Sequence, residues 1–239
     1  MHIGILSAMP EEVGHTLTFL KNVRSTIFGD LQLFTGEYQI RQTQSILITI
    51  AWSGWGKVSA ARATTRLLGT NISNKKIDLV LFTGVAGAVD KKLKQWDIVV
   101  SDAVIQHDMD ARPIFDKFVV PAINSEKIYP RKNLIKSFYE FTSLKLEEKE
   151  YKDFGKIHKG LIGTGDMFIS DEKKIKQLLR EIPGLLAVEM EGGAFAQVAF
   201  QEKIDWLVIR VISDGADESA HDDFNLFLEK YKIKSWLLV

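Results

Sequence analysis

Four carboxylates and one arginine stand where apolar runs of this chain give way to small or polar residues. Glu189-Met190-Glu191 follows the apolar Leu185–Val188 and precedes Gly192, Gly193, Ala194 and Ala196. Small residues indicate close packing, and a carboxylate buried among them needs a partner. The alternative is a pair of solvated glutamates. Arg210 lies inside the apolar run Trp206–Ile212, where it must meet a carboxylate or an anionic ligand. Ser213-Asp214 follows. Asp214 is a candidate general acid, or else a helix cap beside a structural Arg–Glu pair. Met9 ends the first apolar run and Glu11 and Glu12 come next. They either complement a helix dipole or offer a carboxylate base. Gly84-Val85-Ala86-Gly87 lets backbone approach a ligand, although a structural turn is the readier explanation. It is not a G-x-G-x-x-G fingerprint and no Walker lysine follows, so phosphate binding has little support. Gly163-Thr164-Gly165-Asp166-Met167-Phe168-Ile169 suits a loop that presents Phe168 to a flat ring, with Asp171 as N-cap of the next helix.

Together, Glu12, Phe168, Glu191 and Asp214 describe a carboxylate-rich pocket with an aromatic wall. Metal-ligand spacing such as H-E-x-x-H is absent, and His107 and Asp108 sit near Asp110 with no second histidine close by. No metal or other cofactor is expected. A Ser–His–Asp hydrolase is disfavoured because G-x-S-x-G is absent.

The elements that must position these residues alternate. Strands are expected near His2–Ala8, Ser45–Ala51, Ile77–Thr83, Asp97–Ile105, Lys156–Gly163, Leu185–Val188 and Trp206–Ile212. Helices are expected near Pro10–Lys21, Val58–Leu68, Arg131–Leu146, Asp171–Glu181, Glu191–Gln201 and from Asp222 onward. A hairpin spans Ser25–Glu37 and turns at Gly29-Asp30. Runs such as Leu-Val-Leu-Phe-Thr are apolar on both faces, as in a sheet covered by helices on both sides. The fold class is α/β: a three-layer α/β/α sandwich with a mixed central sheet. Ligands in such folds lie beyond the carboxyl ends of the strands.

The 239 residues fit one domain, 1–239, without linker or repeat. Lys+Arg and Asp+Glu both number 31, and no dense basic block appears, so a nucleic-acid partner is not expected. The chain has no cysteine, which suits a reducing cytoplasm. It shows no signal peptide and no apolar run of the ~18–20 residues that span a bilayer. The loop 106–130 holds Pro113, Pro121 and Pro130, and loops of that length are usually functional or interfacial.

Six motifs occur in order: S-A-M-x-E-E from Ser7, S-G-x-G-K from Ser53, T-G-x-A-G from Thr83, G-D-x-F-I from Gly165, V-E-M-E from Val188 and R-x-I-S-D-x-A-D from Arg210. In these the chain resembles the 5′-methylthioadenosine/S-adenosylhomocysteine nucleosidases of the nucleoside phosphorylase superfamily. The match runs from Met1 to about Phe227 and is weakest over 106–129. The resemblance implies hydrolysis of the N-glycosidic bond of an adenosine thioether, releasing adenine. It makes Asp214 the acid that protonates adenine and Glu12 the group that holds the water. Met190 and Glu191 would hold the ribose, with Met9 below the sugar. Phe168 would stack on adenine, and the Ile169 backbone would read its edge. Arg210 and Ser213 would organise Glu12, the water and Asp214. Val85, Ala86, Gly87 and Trp55 would line the substrate pocket, and Phe224, in the loop after Asp214, would cover the alkylthio tail. It also implies a homodimer whose neighbouring subunit closes that tail pocket. The chain departs from the family pattern at Val85, where serine is usual, at Trp55 in S-G-x-G-K, and at Gly193.

Cleaving such a bond builds positive charge on the ribose and negative charge on the base. An acid at the base then helps directly, and a positioned acid or base contributes roughly 10²–10⁴-fold. One pocket must therefore keep one carboxylate ionised and another protonated. The competing expectations are a phosphorylase, a futalosine-type hydrolase and a non-catalytic nucleoside-binding protein. A phosphorylase needs phosphate-binding arginines, yet Phe82 and Thr83 precede Gly84 and the first loop offers Glu12 instead.

Overall fold

Alternation along one strand shows how the layers form. In β10 (Asp205–Asp214), Trp206, Val208 and Ile212 join one apolar cluster, while Leu207, Ile209 and Val211 join another. Side chains of a strand point alternately to its two faces, so β10 is covered on both. The first cluster includes Ala60, Ala63 and Leu67 of α1 (Lys57–Leu68) and Ala194, Phe195, Ala196 and Ala199 of α4 (Gly192–Gln201). The second includes Ile135 of α2 (Lys132–Lys145) and Phe227 and Tyr231 of α5 (Ala220–Tyr231). A third cluster packs α3 (Glu172–Glu181) through Leu178 against the sheet. This is the expected α/β/α layering. The computed structural model describes residues 1–70, 75–216 and 220–239.

The sheet is mixed and has ten strands. The other nine are β1 (His2–Ser7), β2 (Lys21–Phe28), β3 (Leu31–Arg41), β4 (Gln44–Trp52), β5 (Leu79–Ala88), β6 (Ile98–Gln106), β7 (Lys127–Ile128), β8 (Ile157–Thr164) and β9 (Leu185–Glu189). Strands β4, β1, β5 and β10 are neighbours in parallel, as are β6, β8 and β9. The two groups meet antiparallel twice, at β10–β6 and at β5–β9. Strands β5, β10, β6, β8 and β9 thus close on themselves in a ring. The β5–β9 contact is short, pairing Gly87 with Val188 and Ala88 with Ala187. The carboxyl ends of two oppositely running groups therefore cross at one place.

Three expectations need correction. The helix expected over Pro10–Lys21 is two short 3₁₀ segments, Pro10–Glu12 and Gly14–Phe19. Gly14 takes φ +49, and a side chain there would press on the Lys232 carbonyl and the Ser235 hydroxyl. The break thus accommodates the far end of the chain. Gly84–Gly87 is no turn: it continues β5, because β10 pairs alongside from Leu79 to Gly87. Phe224 lies within α5 rather than in a loop. Asp217 of the R-x-I-S-D-x-A-D motif falls outside the described residues. Among the described residues, no helix is long and apolar enough to cross a membrane.

Candidate active site

At the crossing of strand ends lies an open cavity, about 560 Å³ with the solvent at its mouth included. Its lining includes Met9, Glu12, Val85, Phe168, Glu191 and Asp214, together with Trp55, Ala86, Gly87, Ile169, Met190, Ser213 and Phe224. Glu12 and Asp214 lie near opposite ends of the sequence; the ring of strands brings them to one cavity.

Glu12 is buried, and backbone holds it on both oxygens. Oε2 accepts from the Ala8 and Met9 N–H groups at 2.7 and 2.9 Å, and Oε1 from Val85 N–H at 2.9 Å. Burial raises its carboxyl above the ordinary glutamate range, against the pull of Arg210 and these N–H donors. A side chain at position 84 would stand 2.8 Å from Glu12 Cδ and overlap both Glu12 Oε1 and Arg210 Nη1. Glycine is what lets β5 pass so close beneath Glu12.

Asp214 is the last residue of β10. Its Oδ2 accepts from the Ser213 hydroxyl at 2.6 Å and its Oδ1 from Ala216 N–H at 2.8 Å. Gly87 gives it room, since a Cβ there would meet Asp214 Oδ1 at 2.9 Å.

Glu189 and Glu191 divide their work. Glu189 accepts from the Glu191 and Gly192 N–H groups at 3.1 and 2.7 Å, from the Thr164 hydroxyl, and from Arg210 Nη2. That set holds it in place as an anchor for the start of α4. Glu191 accepts from Gly56 N–H at 2.9 Å through Oε1, while Oε2 stands 3.7 Å from Arg210 Nη2. Burial first, and then the neighbouring Glu189, push the Glu191 carboxyl upward.

Arg210 differs from its expected place. It is 0% exposed and does not line the cavity. It stands behind the wall, paired with Glu189, donating to the Thr83 carbonyl at 3.2 Å and packed 4.6 Å from the centre of the Phe82 ring. Its ion pairs are with Glu189 and Glu191, and of Arg210 and Ser213 it is Ser213 that bonds Asp214.

The aromatic wall is three rings. Phe224 meets Trp55 edge-on at 6.2 Å and Phe168 at 6.0 Å. Ala8, Met167 and Val188 also line the cavity and were not singled out by sequence. Nor were Gly56 and Thr164, whose roles are to hold Glu191 and Glu189. The glycine in S-G-x-G-K and the threonine before Gly165 were their visible signals. Among the described residues, no three of His, Asp or Glu converge as metal ligands.

A family model described as the phosphorylase superfamily matches residues 2–236, and the chain belongs to that superfamily. A 5′-methylthioadenosine/S-adenosylhomocysteine nucleosidase of Bacillus subtilis is 34% identical, over 100% of this chain and 96% of its own length. Within the superfamily the chain belongs to that nucleosidase family. The solved Neisseria meningitidis nucleosidase, in complex with methylthio-immucillin-A, aligns with a TM-score of 0.87 at 28% identity, over 99% of this chain and 96% of that one. A Helicobacter pylori futalosine hydrolase aligns with a TM-score of 0.82 at 29% identity, over 100% and 95%.

Gly84→Ala tests the close approach. Because both Glu12 and Arg210 must shift, kcat for nucleoside cleavage should fall about tenfold or more while far-UV circular dichroism stays unchanged. Full activity in this variant would show that the contact is not needed.

Proposed function

We propose that this chain hydrolyses the N-glycosidic bond of 5′-methylthioadenosine and S-adenosylhomocysteine, releasing adenine. The observation that carries the choice of hydrolysis is a described cavity lining with carboxyl groups and without a cation. Glu12, Glu189, Glu191 and Asp214 line it, while no Lys or Arg stands among its described lining residues. A phosphate nucleophile would find no cation there and would face the ionised Glu12. Two unit charges 4 Å apart repel by about 4 kcal/mol at an effective dielectric of about 20. Water carries no such penalty.

In this reading Asp214 donates a proton to the adenine as negative charge gathers on the base. Glu12 takes a proton from the attacking water, and its raised affinity for protons suits that work. Glu191 accepts from the ribose hydroxyls, with Met9 and Met190 against the sugar. Phe168 stacks on adenine, and the Ile169 backbone reads its edge. Trp55 and Phe224 bound the 5′ tail. Val85 supplies its N–H to Glu12, so the valine at this position leaves that bond intact. A futalosine-type substrate is the second reading, since a futalosine hydrolase is among the aligned structures.

The chain acts as one domain, 1–239, and pairs as a homodimer. Trp55, Met167 and Phe168 at the cavity mouth, and Ile114 in the 106–130 loop, leave large apolar surface exposed. A second copy of this chain is the partner that would cover it. Light scattering at micromolar concentration should give twice the chain mass, and a monomer would exclude the pairing.

Methylthioadenosine should yield free adenine in phosphate-free buffer, and Asp214→Asn should lower kcat by roughly 10²–10⁴-fold while adenine still binds. Strict dependence on phosphate would overturn hydrolysis. Futalosine cleaved well, with methylthioadenosine left intact, would favour the second reading.

The acid limb of the pH profile follows from Glu12. The working form is ionised, so kcat/KM is lost as pH falls through a value raised by burial. Its midpoint should lie above the ordinary glutamate value of about 4.3. A limb at or below that value would remove Glu12 as the proton acceptor.

A further inference from the structure

Two of the three mouth aromatics sit on loops outside the regular elements, although Ile169, next to Phe168, is buried in the core. Trp55 belongs to the segment joining β4 to α1, and Phe168 follows β8. A closed ring of hydrogen bonds among three polar residues, two of them donated by backbone, joins these segments to the loop after β6. Lys57 N–H donates to Asp166 Oδ1 at 2.8 Å, Asp166 N–H donates to Asp108 Oδ2 at 2.9 Å, and Lys57 Nζ donates to Asp108 Oδ1 at 2.6 Å. Lys57 Nζ also stands 4.0 Å from Asp166 Oδ2. None of the three lines the cavity.

The local backbone explains why the ring is needed. Helix α1 begins at Lys57, and Gly56 before it has φ +91 and no side chain to cap the helix. The first N–H groups of a helix require acceptors. Here the Glu191 carboxylate takes the Gly56 N–H and Asp166 takes that of Lys57. The helix start is therefore held from two other parts of the chain. One of them lies two residues before Phe168, and the other is a carboxylate of the cavity wall.

We propose that Lys57, Asp108 and Asp166 are positioning residues that latch the Trp55 and Phe168 loops together, setting the affinity for the adenine-bearing ligand while leaving the chemical step alone. The proposal rests on reading this cavity as the nucleoside site. The residues of the chemistry, Glu12 and Asp214, are held by backbone N–H groups and by Ser213, with no bond to the latch. Opening the latch therefore loosens the walls around the base and leaves the acid and the base in place. The side chains of Lys57, Asp108 and Asp166 are 18%, 30% and 49% exposed, so salt reaches the ion pair and screens it.

The test uses the full chain with Lys57→Met, Asp108→Asn, the double variant and Lys57→Arg. Calorimetry with adenine gives Kd, and steady-state hydrolysis of methylthioadenosine gives KM and kcat. Each single variant should raise adenine Kd and KM about three- to fivefold, the range of a partly exposed ion pair, with kcat within about twofold. The double variant should be no weaker than the singles, and Lys57→Arg should recover much of the loss. Raising KCl should weaken adenine binding by the wild type but not by Lys57→Met. Additive losses, a flat salt response in the wild type, or a fall in kcat at unchanged Kd would each overturn the latch. Adenine binding reads the latch independently of turnover. A wild type that binds adenine but releases none from methylthioadenosine would fail the hydrolase reading alone.

Discussion

One buried guanidinium holds this structure's functional end together. Arg210 is enclosed in the sheet and faces Glu189, Glu191 and Glu12, and all three glutamates raise its hold on its proton. Three carboxylates in so dry a place are costly, since the effective penalty of burying an unpaired charge is several kcal/mol. Arg210 offsets part of that cost and backbone N–H groups offset more. The remainder is visible in the upward displacement of Glu12 and Glu191. The cavity carries its negative character because the cation stays behind the wall, spent on Glu189.

That arrangement explains the sheet. Arg210 occupies an even-numbered position of β10, facing the α1/α4 side, with Phe82 of β5 beneath its guanidinium. It can reach Glu189 only because β9 crosses β5 antiparallel at Gly87–Val188. Were the strands all parallel, the ends of β9 and β10 would lie apart. Glycines then set the distances. Gly84 lets Glu12 and Arg210 approach across β5, and Gly87 leaves space for Asp214.

The layers and most elements were legible in the sequence because burial on two faces leaves a continuous apolar run, as in Leu79–Phe82 and Trp206–Ile209. Candidate site residues were legible because polar side chains at the ends of such runs stand out. What sequence did not reveal was set by distant partners. The Pro10–Lys21 helix breaks where Gly14 makes room for Lys232 and Ser235. Gly84–Gly87 resembles a turn, and only the pairing with β10 makes it strand. Arg210 in an apolar run announces a buried partner without saying which glutamate it is. The cap of α1 is invisible locally, since its acceptors lie 109 and 135 residues away.

The cavity is thus bounded by two kinds of support. Asp214 ends β10, and Glu12 in the 3₁₀ segment after β1 and Glu191 just past β9 are held by backbone N–H groups beside packed core. Phe224 shares that support from the other side: three residues along α5, Phe227 is buried against Trp96, with ring centres 4.6 Å apart. Residues spaced by three or four lie on one face of a helix, so the core that fixes Phe227 also fixes Phe224. Trp55 meets this fixed ring from a loop secured by hydrogen bonds and one partly exposed ion pair, and Phe168 from a loop that shares those contacts and has the buried Ile169 beside it. Such contacts are weaker than packed core and open first. The fold therefore places rigidity at the reacting bond and yielding at the mouth. A ligand can enter between Trp55, Phe168 and Phe224 without any shift in Glu12 and Asp214, whose bonds lie outside the mouth loops.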